Sequence, residues 1–426
     1  MRRLLLATVA VLALAAPAAA QDPQITAADV APHLQALQGV ASANGGNRAA
    51  GLPGANATAD YIVTQLEQAG WQVRRQPVTF PYFDLRSPPR VHTLRPGRDV
   101  VAVRYSGAGD VTGRLRLVES EGCGRESFRA VRRGDVVLAP FAACTFSRLA
   151  ATIKREGGAA LLTIASEQSF PLTSVSFVPG LPIPVLGLSD PAARRLYASR
   201  RNRPVRVTVD ATIAPRTADN VVAELPGTDG RSVFMAGGHL DSVIEGPGIN
   251  DNASGVAALL EMGEKLAAAP RGRSTLRLGF WTAEEHGLFG SRHYVKTLDA
   301  AERKRTAGYL NLDMVGSPNA VPEIYSSRNK LSSALRKRIR GAGSTPFRRA
   351  DSDHDAFRRA GIAVSGIYTG GLESKTREQR RRFGGRAGAL RDRCYHRACD
   401  TADSASATVT ARMAAAAAGA MAEVAR

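Results

Sequence analysis

The stretch that decides the fold runs from Ser232 to Ala268 and reads SVFMAGGHLDSVIEGPGINDNASGVAALLEMGEKLAA. Its opening, residues 232–237, is an apolar run of the length and composition of a buried strand. Its end, residues 254–268, carries apolar side chains at helical spacing along one face, which predicts an amphipathic helix. The polar loop between them links a buried strand to a helix that packs back on the sheet.

The same alternation continues along the chain from Asn220 onward. Further strands are predicted at Thr275–Trp281, Tyr309–Leu312 and Ile362–Ile367, and a second helix at Leu331–Arg340. Strands that alternate with helices are typical of a mostly parallel sheet. We therefore expect an α/β fold with helices on both faces of that sheet.

Five short segments carry side chains that can bind a metal, and each ends a predicted strand or opens a loop. They are Gly-Gly-His239-Leu-Asp241-Ser, Asn-Asp251-Asn-Ala-Ser-Gly, Ala-Glu284-Glu285-His-Gly, Asn-Leu-Asp313-Met and Cys394-Tyr395-His396-Arg-Ala-Cys399. Open α/β sheets bind ligands at the carboxyl ends of their strands, so the segments are predicted to converge there. Taken singly, each has an ordinary structural explanation, such as a helix cap at Asp251.

Two imidazoles and three carboxylates are the ligands that a pair of zinc ions needs when one carboxylate bridges them. The set therefore predicts metal-assisted hydrolysis. Two other hydrolase signatures are missing, because the chain has neither a His-Glu-x-x-His helix nor a Gly-x-Ser-x-Gly elbow. Zinc is the default for mixed His and carboxylate ligands, although cobalt or manganese could substitute.

The length of 426 residues and the hydrophobic content of 44% predict a globular protein with a large core, divided into two domains. The first twenty residues have the pattern of a signal peptide: Arg2 and Arg3 precede an apolar stretch, and small residues up to Ala20 form a cleavage site. The apolar stretch is shorter than the roughly 20 residues of a spanning helix. We expect a secreted or periplasmic protein with no stable membrane span.

The formal net charge of +19 raises the possibility of nucleic-acid binding. The arginines are scattered along the whole chain, however, and no stacking motif or nucleic-acid module accompanies them. The charge is thus interpreted as a solvated basic surface, and no nucleic-acid partner is expected.

The four cysteines fall into two pairs by proximity, Cys123 with Cys144 and Cys394 with Cys399. Four cysteines allow three pairings, and neither pair has the spacing of a zinc knuckle. An exported protein meets oxidising conditions, so two disulfides are the interpretation that we favour.

The region 101–209 differs in pattern from what precedes and follows it, with short predicted strands and no cluster of ligand residues. Its segments Gly134-Asp-Val-Val-Leu-Ala, Cys144-Thr-Phe-Ser-Arg-Leu-Ala and Gly157-Gly-Ala-Ala-Leu-Leu resemble a protease-associated domain, a β-rich module that is inserted into or appended to exopeptidases. The predicted organisation is thus a signal peptide at 1–20, a first part of the main domain at 21–100, this insert at 101–209, and the main part at 210–426.

The five ligand segments resemble, in the same order, those of the secreted co-catalytic di-zinc aminopeptidases, a family with glutamate carboxypeptidases and glutaminyl cyclases among its relatives. The resemblance covers roughly residues 25–100 and 210–420. It implies a zinc exopeptidase fold, two Zn²⁺ ions per chain, and peptide substrates with a free N-terminus that are cleaved by a zinc-bridged water.

The resemblance also implies a role for each ligand. One zinc is expected at His239 and Asp313 and the other at Glu285 and His396, with Asp251 bridging the two.

Further residues are expected to assist these ligands. Glu284 is expected to act as general base and Tyr395 to bind the oxyanion. The side chain of Asp241 is expected to accept a hydrogen bond from the free ring nitrogen of His239 and so fix its tautomer. Asp353 and His354, in Ser-Asp-His-Asp-Ala-Phe, match a segment near the family's substrate pocket and are given a supporting role.

Three alternatives to an aminopeptidase remain open from the sequence. A carboxypeptidase or a glutaminyl cyclase could be built on the same fold, and a homologue that has lost its metals could serve as a receptor. Neither the preferred side chain, the natural substrate, the oligomeric state nor gating by the insert follows from the sequence.

Overall fold

The computed structural model describes residues 22–119, 123–140, 144–165, 170, 178–325, 327–347 and 352–426. The predicted signal peptide and its cleavage site near Ala20 lie outside these residues. Among the helices of the described part, none has the length and apolar character needed to cross a membrane.

Strands and helices alternate along most of the described chain. In chain order, the strands are β1 (Gln72–Leu85), β2 (Arg90–Val91), β3 (Val100–Ala102), β4 (Gly109–Leu117), β5 (Val136–Pro140), β6 (Ala160–Ala165), β7 (Val185–Ser189), β8 (Pro204–Val209), β9 (Ala211–Leu225), β10 (Val233–His239), β11 (Thr275–Trp281), β12 (Thr306–Leu312), β13 (Glu323–Tyr325), β14 (Gly343–Thr345) and β15 (Val364–Tyr368). The helices are α1 (Ala27–Ala43), α2 (Pro53–Gln68), α3 (Phe146–Arg155), α4 (Asp190–Arg200), α5 (Ser254–Ala268), α6 (Phe289–Thr297), α7 (Ala300–Arg305), α8 (Lys330–Arg338), α9 (His354–Arg359), α10 (Arg377–Phe383) and α11 (Ala407–Ala425).

The larger sheet has eight strands in the order β1-β9-β11-β10-β12-β15-β13-β14. Its centre, β11-β10-β12-β15, is parallel, and β14 pairs with β13 in parallel, whereas the pairs β1-β9, β9-β11 and β13-β15 are antiparallel. Neighbouring residues of β10 point to opposite faces of the sheet: Phe234 belongs to the core under α1, α2, α5, α8 and α11, and Met235 to the core under α6 and α9. The predicted α/β fold with helices on both faces is confirmed.

The smaller sheet has seven strands, β2-β8-β4-β5-β6-β7-β3, all from residues 90–209. It encloses hydrophobic clusters of its own, built around β5 and β6 with α3 and α4. The assignment of residues 101–209 as a protease-associated domain stays a prediction. Both predicted disulfides are present, Cys123–Cys144 within this part and Cys394–Cys399 in the larger one.

The parallel strands of the larger sheet bring their carboxyl ends to one edge. His239 is the last residue of β10, Glu284 and Glu285 follow β11, and Asp313 follows β12. The loops that extend from this edge therefore carry ligand side chains from distant parts of the chain.

Candidate metal centre

The end of β10 lies unusually close to its neighbours because it is built from glycine. A Cβ atom on Gly238 would come within 2.3 Å of the backbone oxygen of Leu312 at the end of β12. No side chain fits there, so β10 and β12 can end side by side only with glycine at this position. This close approach brings His239 beside Asp313.

Asp251 lies in an irregular turn, Ile249–Ala253, before α5. The turn begins at Gly248, whose φ of 62° lies in the left-handed region, and a Cβ there would meet the backbone oxygen of Asp251 at 2.3 Å. The carboxylate of Asp400 accepts hydrogen bonds from the amides of Asn250, at 2.7 Å, and Asp251, at 3.0 Å. The backbone at Asp251 is therefore fixed by the tight turn at Gly248 and by the hydrogen bonds to Asp400.

The carboxylate of Asp251 lies between the two imidazoles. Its Oδ1 is 3.1 Å from Nε2 of His239, and its Oδ2 is 3.0 Å from Nε2 of His396. On the first side, His239 Nε2 is also 3.5 Å from Asp313 Oδ1, and on the second, His396 Nε2 is 3.2 Å from Glu285 Oε1. The structure thus brings all five predicted ligands together as two groups that share one carboxylate.

These distances fit two metal ions. Ligand atoms about 2.0–2.2 Å from one zinc ion at a tetrahedral angle are about 3.3–3.5 Å apart, close to the separations within each group. Burial would lower the pKa of His239, yet the carboxylates of Asp313 and Glu284 raise it well above its ordinary value. The pKa of His396 is likewise raised against burial by Glu285 and Asp251. The negative potential behind both shifts also favours a divalent cation.

Glu284 and Tyr395 flank the ligands. Burial, reinforced by neighbouring carboxylates, raises the pKa of the Glu284 carboxyl well above its ordinary value. The ring of Tyr395 stacks on that of His396, with centroids 3.9 Å apart, and burial raises the pKa of its phenol. The Glu284 carboxyl group and the Tyr395 hydroxyl group both line the same cavity as the ligands.

Asp241 supports His239 in a different way from the one predicted. Nδ1 of His239 lies 3.1 Å from the backbone oxygen of Asp241 but 3.8 Å from its carboxylate. That carboxylate instead accepts a hydrogen bond from the amide of Glu284 at 3.2 Å. Asp241 thus contacts His239 through its main chain, which a sequence motif cannot distinguish from a side-chain contact.

Asp353 and His354 are both buried at the start of α9. Burial raises the pKa of Asp353 to about 7, and its charge interacts with His239. The ring of His354 packs against Tyr325, with centroids 4.6 Å apart. Neither residue lines the cavity into which the ligands open, and their supporting role stays a prediction.

A chain of buried hydrogen bonds orients Asp313, and the sequence did not reveal it. Ser352 Oγ donates to Asp313 Oδ2 at 2.6 Å and accepts from Nδ2 of Asn311 at 2.9 Å. Asn311 Oδ1 accepts from the hydroxyl of Tyr309, which accepts in turn from the indole of Trp281, both at 2.9 Å. The only sequence signal was that Ser352 is the first residue of the Ser-Asp-His segment.

Arg48 is a second residue that the sequence did not single out. Its guanidinium, fully buried, donates to the backbone oxygens of Leu240, Pro247 (3.0 Å) and Gly248 (2.7 Å). Burial lowers its pKa to about 10, against the opposing effect of Asp241 and other carboxylates. In the sequence, Arg48 is a single arginine in a loop rich in Gly and Asn. This composition is also typical of a surface loop, so it did not indicate a buried role for Arg48.

The ligands open into a cavity of about 660 Å³. Six carboxylates line it: Asp251, Glu284, Glu285, Asp313, Glu323 and Glu373. Among the described residues of this lining, the only Lys or Arg is Arg391, whose guanidinium is buried and pairs with Glu323 at 3.0 Å. The cavity is therefore suited to a positively charged group.

Comparisons with known proteins agree with this geometry. The model of peptidase family M28 matches residues 220–421. An aminopeptidase of Pseudomonas aeruginosa is 34% identical over 418 residues, which cover 88% of this chain and 76% of that protein. A probable lipoprotein aminopeptidase of Mycobacterium tuberculosis is 35% identical over 404 residues, covering 87% of this chain and 79% of the relative. In fold, the chain is similar to a zinc aminopeptidase from Bacillus subtilis, with a TM-score of 0.76, 22% identity, and coverage of 95% and 96% of the two chains.

Proposed function

This chain belongs to peptidase family M28, and we propose that it is a zinc-dependent aminopeptidase that releases the N-terminal residue of peptides. The observation that carries the proposal is the carboxylate of Asp251, each of whose oxygens faces a different imidazole at 3.0–3.1 Å. A glutaminyl cyclase needs only one zinc ion, so a bridging carboxylate favours the peptidase.

The two groups of side chains support an assignment of residues to each proposed zinc site. His239 and Asp313 would hold one ion, Glu285 and His396 the other, and Asp251 both. When bound, zinc supplies Lewis acidity, which polarises the scissile carbonyl and acidifies the attacking water.

Glu284 is the general base of the proposed reaction. Its carboxylate takes a proton as the water oxygen bonds to the carbonyl carbon, and returns the proton to the nitrogen as the carbon–nitrogen bond breaks. The hydroxyl of Tyr395 donates a hydrogen bond to the oxyanion that forms on the carbonyl oxygen.

The charge of the cavity favours an aminopeptidase over a carboxypeptidase. A carboxypeptidase must neutralise the terminal carboxylate of its substrate, and the guanidinium of Arg391 is already paired with Glu323. Glu373 lines the cavity outside the proposed zinc ligands and would attract the terminal ammonium of a peptide instead. We also propose that the protein acts outside the cytoplasm, since its two disulfides are typical of oxidising compartments.

The decisive experiment combines activity with metal content. Zinc-loaded wild-type protein is expected to cleave leucine p-nitroanilide and to leave N-acetylated peptides intact. Glu284→Gln should lower kcat by about 10²- to 10⁴-fold and retain two zinc ions per chain. Glu264→Gln, on the exposed side of α5, is the matched control and should match the wild type.

Three results would contradict the proposal. Binding of only one zinc ion would remove the bridged pair, and cleavage of N-acetylated peptides from the carboxyl end would indicate a carboxypeptidase. Two bound zinc ions with no hydrolysis of any peptide would support the receptor-like alternative.

A further inference from the structure

A second cavity, of about 890 Å³, lies beside the metal centre, and we call it the apolar groove. Part of the lining comes from the end of β1 and the segment that leads into the smaller sheet, at residues 82–89, 96–97, 100–102 and 104. The rest comes from Ala49, residues 243–245, His286 and residues 396–398. The groove is therefore bounded by loops of the larger sheet and by the beginning of the smaller one.

The two cavities adjoin at the ligand-bearing loops of the metal centre. His396 lines both of them. Glu285 lines the acidic cavity and the next residue, His286, lines the apolar groove, while the loop after His239 reaches the groove at residues 243–245. The groove therefore adjoins the loops that carry the metal ligands.

The surface of the groove differs from that of the acidic cavity. Its apolar lining includes Phe83, Pro88 and Val101, and charged residues of both signs also line it: Asp84, Glu245, Arg86, Arg104 and Arg397. Among the described residues, four large hydrophobic side chains are exposed, and two of them line the groove: Ile244, 54% exposed, and Leu85, 38% exposed. Apolar side chains exposed along a concave surface are typical of a binding site.

The groove is held in place relative to the metal centre. The hydroxyl of Tyr105, a buried residue at the start of the smaller sheet, donates to the backbone oxygens of Pro81, at 2.7 Å, and His286, at 3.0 Å. The ring of His286 stacks on that of Tyr82, with centroids 5.3 Å apart. These contacts tie both sides of the groove to a ligand-bearing loop, so the groove is formed before a ligand binds.

We propose that the apolar groove binds the leaving part of the substrate, the residues that follow the scissile bond, and selects apolar side chains there. The inference rests on the proposed aminopeptidase function. Because His396 lines both cavities, a peptide whose N-terminal ammonium lies in the acidic cavity and whose scissile carbonyl lies at the ligands can continue past His396 into the groove. A groove of this volume holds about three residues.

The test compares substrates that share an N-terminal leucine. For the wild type, kcat/KM should be at least about tenfold higher for Leu-Phe-Leu-Phe amide than for Leu-Gly-Gly-Gly amide. Ile244→Asp should lower kcat/KM for the first peptide about tenfold, mainly through KM, and so remove the preference over Leu-Gly-Gly-Gly amide. Ile213→Asp is the matched control, since Ile213 is 39% exposed and lies on β9 outside both cavities; it should behave as the wild type.

A binding measurement separates this inference from the proposed function. Acetyl-Phe-Leu-Phe amide should bind metal-free wild type and Ile213→Asp in isothermal titration calorimetry, and Ile244→Asp about tenfold more weakly. If leucine p-nitroanilide is not cleaved but this pattern holds, the aminopeptidase proposal fails and the groove stands. If leucine p-nitroanilide is cleaved while peptide sequence and Ile244→Asp make no difference, the groove proposal is overturned.

Discussion

Removal of the Cys123–Cys144 disulfide should cost more stability, whereas removal of the Cys394–Cys399 disulfide should cost more activity. The Cys394–Cys399 bridge closes a loop with a sequence separation of 5, and Cys123–Cys144 one with a separation of 21. Loop-closure entropy predicts that removing the first costs about 2 kcal/mol and removing the second about 3 kcal/mol. The larger loss of stability is therefore expected away from the metal centre.

Activity should follow the other order, because the short loop carries Tyr395 and His396. Without the bridge, the loop can adopt conformations in which His396 no longer faces Asp251 and Glu285. We expect the Cys394→Ala/Cys399→Ala protein to lose about 10- to 100-fold in zinc affinity at that site and in kcat/KM. The Cys123→Ala/Cys144→Ala protein is the control and should keep both.

Guanidinium unfolding gives the stability of each variant, and zinc titration against a chelator of known affinity gives the two site affinities. Hydrolysis of leucine p-nitroanilide gives kcat/KM. Equal losses of activity in the two variants, or full activity without the Cys394–Cys399 bridge, would refute the argument that this bridge positions the ligand loop. Other contacts of the loop, such as the 2.7 Å hydrogen bond from the amide of Cys394 to Asp392, would then be enough to hold His396 in position.

Three further predictions concern residues outside the ligand set. Ser352→Ala should lower zinc affinity or kcat/KM about 10- to 100-fold, because Asp313 loses its 2.6 Å hydrogen bond; unchanged values in both assays would show that Asp313 needs no such support. Arg48→Met should destabilise the fold by about 3–5 kcal/mol in chemical unfolding, since three buried backbone oxygens lose their donor; a loss below about 1 kcal/mol would contradict this. Asp99→Asn tests a charge far from the metals: burial would raise the pKa of Asp99, but hydrogen bonds from Arg95 and then Arg195 hold it below its ordinary value. Because both guanidiniums are half exposed, the ionised Asp99 stabilises the fold by only about 1 kcal/mol. This stabilisation is present above the pKa of about 3.9 that Asp99 has in the unfolded chain, and it is lost as the pH falls through the lower pKa of the folded protein. The unfolding curves of wild type and variant should therefore differ at pH 7 and converge near pH 3; a constant difference would show that the charge is not responsible.

Local patterns predicted the central elements well. The helix at residues 254–268 and the strand at residues 275–281 have the bounds that the sequence indicated. Both are regular segments whose burial follows a simple pattern, one apolar face for the helix and a continuous apolar run for the strand.

Strand β9 and helix α11 are among the elements of the larger part that were not predicted, and both were missed for the same reason. Strand β9 mixes polar and apolar residues because part of it is exposed and part is buried in the sheet. Helix α11 is rich in alanine and buried over most of its surface, so it has little amphipathic pattern to detect. Burial by neighbouring elements, which local periodicity does not record, decides their structure.

The sequence by itself determined the class of fold and the chemistry of the candidate ligands. Parallel strands bring their ends to one edge, so residues placed there by the pattern of strands had to lie near each other. Only the tertiary structure decided which oxygen of Asp251 faces which imidazole, how Arg48 and Ser352 hold the ligand loops, and where the apolar groove lies. Those features are contacts between residues far apart in the chain, and their distances depend on how the two sheets and their loops pack.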